Sequence, residues 1–138
     1  MSRYKSEQTA YSPLKKKSVP LWRLDTNTVT VTHFNADTQT EERKTYNTDF
    51  IRYHLHFSDS HCHDRLCRLV NEGKIIPYLN DLELKVSEAI SRQVELWKQT
   101  DSYYKKAILS GDAEKILGLE NCFAYMAREA VFECMVYI

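Results

Sequence analysis

The stretch HLHFSDSHCHDRLC, residues 54–67, gathers four of the chain's five histidines and two of its four cysteines. Imidazole and thiolate are the donors zinc favours, and His63 and Cys67 fall at i and i+4, on one face of a helix. His61 and His56 add nitrogen donors nearby. Structural zinc sites, however, are built from paired ligands such as C-x-x-C with a distant second pair, and neither C-x-x-C nor H-x-x-x-H occurs. The stretch has ligand types without ligand spacing. It reads first as a crowded junction, with Cys62 facing a core and the histidines on polar faces or capping turns. Because clustered histidines titrate near neutrality, a pH-sensitive patch is a further reading.

Other chemistry finds less support. His63 and Asp64 form the dipeptide of HD-type phosphohydrolases, but no histidine follows His63 to complete such a ligand set. G-x-S-x-G, the P-loop, G-x-G-x-x-G and H-E-x-x-H are all missing from the sequence. Cys62 or Cys67 beside a histidine makes a nucleophile pair with no recognisable oxyanion element. These residues point to a non-enzymatic protein that needs no cofactor, with zinc confined to the alternative above.

The elements around the stretch are helical. Asn47, Thr48 and Asp49 supply cap chemistry ahead of Phe50, Tyr53 and Phe57, and Ser58, Asp59 and Ser60 predict a restart. A second helix is expected over 60–72, with Cys62, Leu66, Leu69 and Val70 inward and Gly73 as its stop. The third, over 75–97, steps through Leu79, Leu82, Val86, Ala89, Gln93 and Leu96, a seam suited to the protein's own core or to a homodimer. Asp101 is a candidate cap and residues 110–112 a turn. A last helix over 112–136 carries a wide apolar arc, including Leu117, Phe123, Ala124, Ala127, Ala130 and Cys134, which implies burial.

Ahead of the helices, VPLWRL and VTVTHF flank the turn DTNT and predict a hairpin, with a polar third strand inside QTEERKTY. Val29, Val31 and His33 share the expected core face, while Thr30, Thr32 and Phe34 share the other. Trp22 or Leu24 should pack on the helices, leaving an open outer edge where a partner can pair. No internal repeat is evident. The expected architecture is α+β and mainly α, with an N-terminal β-hairpin or small antiparallel sheet packed on a bundle of about four helices. Residues 1–18 are expected to be a flexible basic arm and 19–138 a single domain, divided into 19–46 (hairpin) and 47–138 (helices).

Net charge is zero, yet residues 1–20 carry five cations against Glu7 and so leave the remainder acidic. Lys15, Lys16 and Lys17, with Arg43 and Lys44, are the candidate contacts to phosphates or an acidic protein surface. Residues 77–138 hold ten acidic and seven basic residues, less basic than a conventional DNA-binding domain. No apolar run is long enough for a transmembrane helix, and MSRYKSEQTAYSPLKKK has no secretory core, so a cytoplasmic chain with reduced thiols is expected. Cys122 and Cys134, about 18 Å apart along a helix, cannot join each other there.

Two stretches resemble the small transposon-encoded TnpV family of bacterial mobile elements. GKIIPYLNDLE, residues 73–83, is similar to its Gly-Lys, aromatic-Leu, acidic segment. NCFAYMAREAVFECMVY, residues 121–137, is similar to its closing helix. The resemblance covers roughly residues 55–138. It implies residence on a mobile element and transfers no catalytic residue. The expected function is then a non-enzymatic interaction protein that binds a protein or nucleoprotein partner, one version being an anti-CRISPR-like inhibitor of a host defence nuclease. A DNA-binding accessory factor in transposition or excision is the first alternative, and a zinc-stabilised binding protein the second.

Overall fold

The computed structural model describes residues 3–138. Six strands precede five helices: β1 (Arg3–Lys5), β2 (Thr9–Ser12), β3 (Lys17–Pro20), β4 (Trp22–Asp25), β5 (Thr30–Asn35), β6 (Thr40–Thr45), α1 (Asp49–His61), α2 (His63–Asn71), α3 (Ile75–Thr100), α4 (Ser102–Ser110) and α5 (Ala113–Val131). A π-helical turn, Phe132–Val136, follows. The fold is α+β and mainly α. An antiparallel four-stranded sheet in the order β1-β4-β5-β6 lies beside a separate β2–β3 hairpin.

One loop device shapes three of the β connections. Ser12 pairs with Lys17, Asp25 with Thr30 and Asn35 with Thr40, so each loop has four residues. At each entry a short polar side chain accepts from loop amides: Ser12 Oγ from Lys15, Asp25 Oδ1 from Asn27 and Thr28, and Asn35 Oδ1 from Asp37 and Thr38. The fourth loop residue turns left-handed in every case, at Lys16, Val29 and Gln39. That backbone reversal lets a type I-like turn rejoin the ladder. A local Ser/Asp/Asn-x-x-x-x spacing is thus a recurring device, although the side chains between share no pattern.

Period-two alternation gives the sheet two chemically different faces. The register aligns Tyr4, Leu24, Val31 and Lys44 on the inner face. Tyr4, Leu24 and Val31 are buried there, in a core shared with Ile51 and Leu55 of α1, Leu66 and Val70 of α2, and Ile75 and Leu79 of α3. Val29 and Val31 take the core positions expected of them, while His33 is half-buried and stacks on Trp22. Phe34 is buried as well, although it shares with Thr30 and Thr32 the face expected to lie away from the core.

The expected arm therefore needs correction. Residues 3–18 hold β1, β2 and the start of β3, and the boundary expected at residue 18 falls inside a strand. Tyr4 is the physical reason: flanked by Arg3 and Lys5, it is 5% exposed and packs in the main core. Charge on both sides hides a one-residue anchor.

In the helical half, α1 does not restart at Ser58. It runs on through His61 and breaks at Cys62, whose amide still donates to the Ser58 carbonyl. Ser58 is wholly buried and accepts from Arg65 of α2, so it ties the two helices instead of dividing them. Gly73 ends α2 as expected, at φ 68, with its amide on Val70 and that of Lys74 on Leu69. This is a Schellman closure. Asp101 caps α4 and Asp112 caps α5, each accepting an amide three residues on.

The α3 seam meets residues of this chain: Val86 is buried with Val131, Phe132 and Val136. The arc of α5 is less covered than its breadth predicts. Phe123, Ala127 and Val131 are buried, but Leu117, Ala124, Ala130 and Cys134 are exposed. α5 packs on α3 and α4 along one stripe. A wide arc shows what a helix is able to bury, not how many neighbours it has.

Candidate functional site

The four clustered histidines reach different surroundings. His54 is wholly buried on α1. Its Nδ1 lies 2.7 Å from the Val136 carbonyl oxygen and its Nε2 lies 2.6 Å from the Tyr78 hydroxyl. A carbonyl only accepts, so Nδ1–H donates to Val136 and Nε2 accepts from Tyr78. Burial lowers the His54 pKa below its usual value, the Val136 bond acts upward against this, and the Arg65 charge adds to the fall. With both nitrogens engaged in the neutral form, His54 clamps the π-helical turn to α1 and α3.

His56 and His61 are exposed, and the His61 ring lies 4.6 Å from that of Phe57. His63, also exposed, has Nδ1 2.9 Å from the Tyr4 hydroxyl, which in turn donates to Asp59. Cys67 packs against the main core. His63 and Cys67 are thus turned to different tasks, and His56, His61, His63 and Cys67 do not converge. Among the described residues no group of three or more His, Cys, Asp and Glu side chains is placed to hold a metal ion. All four cysteines are free.

A different constellation appears on the outer face of the sheet. The register draws Lys5, Arg23, Thr32 and Arg43 into one row across all four strands. At the usual strand spacing this row spans roughly 14 Å. The β2–β3 hairpin stands over it and encloses a cleft of about 670 Å³. Arg3, Lys5, Lys15, Lys17, Arg23 and Arg43 line the cleft, with Asp25 the lone carboxylate among the lining residues. Thr28, Thr30 and Thr32 add hydroxyl groups. The one aromatic lining residue is Tyr4, whose ring belongs to the inner core.

At the rim, Glu41 of β6 gathers three of these cations. Lys15 Nζ lies 2.7 Å and Arg23 Nη2 3.0 Å from its Oε1, and Arg43 Nη2 lies 3.5 Å from its Oε2. The hydrogen bond from Lys15, and the charges of Lys15, Arg23 and Arg43, hold its carboxyl below the usual range despite partial burial. Arg3 pairs with Asp25 at 3.5 Å. Lys5 and Lys17 form no ion pair among the described residues.

Of the cations expected to contact a partner, Lys15, Lys17 and Arg43 are brought together here. Lys16 occupies the left-handed loop position and does not line the cleft. Lys44 points to the opposite face, 2.8 Å from Asn80 Oδ1 and over the Tyr46 ring. Arg3, Lys5 and Arg23 were not anticipated, because their side chains join the cleft only through pairing between distant strands.

A second exposed feature lies on the far helices, where Leu96, Ile108, Leu109, Leu117 and Met126 are open to solvent. No described helix is long and apolar enough to cross a membrane. Comparisons with protein-family models, with curated proteins and with solved structures gave no match to this chain.

Proposed function

We propose that the chain is a non-enzymatic binding protein that grips the sugar-phosphate backbone of a nucleic acid in the cleft beneath its β2–β3 hairpin. The observation that carries this reading is the convergence of six cations on one concave surface with a single lining carboxylate. Phosphodiesters supply the charge and the acceptor oxygens that such a surface lacks, and their neutralisation releases counterions. With no base-stacking ring in the cleft, the contact is to backbone and carries little sequence preference. Five of the six cations sit on paired strands and Lys15 sits on the hairpin loop, so the footprint is held by register instead of by a tail.

This is the accessory-factor alternative with a revised footprint: Arg3, Lys5 and Arg23 enter it, and Lys16 and Lys44 leave. The TnpV resemblance adds a setting, the cytoplasm of a bacterium that carries a mobile element. The exposed apolar side chains on α3, α4 and α5 favour a second reading, docking on a protein or nucleoprotein, with nuclease inhibition as one version.

Fluorescence anisotropy with a short labelled DNA duplex tests the first reading. Binding should weaken with salt, and replacing the two cleft cations that form no ion pair among the described residues, by Lys5→Gln and Lys17→Gln, should lower the log–log salt slope by about two. No binding at about 50 mM salt would leave the protein-docking reading.

A further inference from the structure

Three cations from three elements meet on one carboxylate. Lys15 comes from the loop 13–16 of the covering hairpin, Arg23 from β4 and Arg43 from β6, and each pairs with Glu41 and with no other acid among the described residues. The group retains two positive charges in excess. Glu41 also provides the sole ion pair between the β2–β3 hairpin and the sheet among the described residues. A carboxylate presents two oxygens and one negative charge, and so do the non-bridging oxygens of a phosphodiester. The cations that hold Glu41 are therefore equipped to hold a backbone phosphate in its place.

We infer that Lys15, Arg23 and Arg43 form a phosphate subsite occupied in the free protein by Glu41, and that an entering phosphodiester displaces this carboxylate. The inference rests on the proposed nucleic-acid reading of the cleft and adds its regulation. Without an internal anion, three cations packed at the rim would repel one another and push the hairpin off the sheet. With it, the hairpin stays latched, and a ligand must compete with a tethered carboxylate. Competition lowers apparent affinity by the fraction of subsites left open. A single weak anion is then rejected, while a strand that engages Lys5, Lys17 and Arg3 at the same time can displace Glu41.

The experiment measures equilibrium binding of one labelled DNA duplex to the wild type, Glu41→Gln and Asp25→Asn at matched salt. Asp25→Asn removes the same unit of charge from the cleft and keeps the Oδ1 that accepts from Asn27 and Thr28. Displacement predicts about ten-fold tighter binding for Glu41→Gln and a gain several-fold smaller for Asp25→Asn. Equal gains in the two variants, or weaker binding by Glu41→Gln, would overturn the subsite and make Glu41 a buttress of the sheet. Absence of binding by all three proteins would instead overturn the nucleic-acid reading itself. A measurement on the wild type is independent of how the variants fold: the Glu41 side-chain carboxyl carbon, followed by NMR, should move as duplex is added to saturation. An unmoved Glu41 signal in a saturated complex would also overturn the displacement.

Discussion

The Tyr4 hydroxyl oxygen lies 2.9 Å from His63 Nδ1, and the same hydroxyl donates to Asp59. With its own hydrogen on the carboxylate, the Tyr4 oxygen accepts from His63 Nδ1–H. A three-residue edge strand is thus tied to the junction of α1 and α2. Tyr4→Phe keeps the ring in the core and removes both bonds. We expect a loss of about 2 kcal/mol, read as a lower urea midpoint with an unchanged slope. A dispensable arm would give no change.

His54 makes stability depend on pH. Its folded pKa is lowered from the ordinary 6.5, so below that value the unfolded chain takes up a proton that the folded chain refuses. The contribution is intact above pH 6.5 and is lost as the pH falls toward the lowered folded pKa. Urea midpoints should therefore drop between about pH 7 and about pH 5. His54→Leu should be less stable at both, because Tyr78 and the Val136 carbonyl lose their partner, yet its midpoint should change less with pH. An equal change in the two proteins would show that His54 does not carry the effect.

Two glycine substitutions should act in opposite directions. At Gly73, which has φ 68, an added Cβ would come within 2.7 Å of Trp22 Nε1. Gly73→Ala therefore combines a left-handed penalty of about 1–2 kcal/mol with displacement of a packed indole. A Cβ at Gly118, inside α5, meets nothing within 4 Å. Gly118→Ala should stabilise by about 0.5–1 kcal/mol. Thermal melts of both variants beside the wild type read the two signs directly.

The left-handed loop positions offer a matched pair. Lys16 has φ 55 on an exposed loop, and Val29 has φ 55 while 1% exposed in the core. Lys16→Gly relieves a steric penalty of about 1–2 kcal/mol against a gain in unfolded-chain freedom of under about 1 kcal/mol, so its melting temperature should rise. Val29→Gly relieves the same strain but removes a buried side chain worth about 1.5–3 kcal/mol. Its melting temperature should fall.

What the sequence made legible was local. Gly73 and Asp101 act within one helical turn, and their neighbours suffice to identify them as a stop and a cap, while residues 110–112 read as a turn whose Asp112 proves to be the cap of α5. The Val–Thr alternation likewise shows which face of β5 carries Val31 into the core, though not that Phe34 on the other face is buried too. Tyr4 shows the opposite limit, since one aromatic residue between two cations has no period to detect. The cleft was half legible: Lys15, Lys17 and Arg43 stand out as charges, but Lys5 and Arg23 join them only through cross-strand pairing. The reading of residues 54–67 failed at Ser58, whose turn chemistry is overridden by a hydrogen bond from Arg65.

The clamp between His54 and Val136 has a consequence for synthesis. Eighty-two positions separate the two partners, and β1 and the π-helical turn dock respectively on α2 and α1. A nascent chain that has released α1 through α3 has Tyr78 in place for His54 Nε2, but Nδ1 stays unanswered until residue 136 emerges from the ribosome. Contacts of such long span slow the search for the native state. Closure of this clamp thus waits for the turn that follows α5, and truncations that stop within α5 should accumulate as partly ordered, protease-sensitive chains.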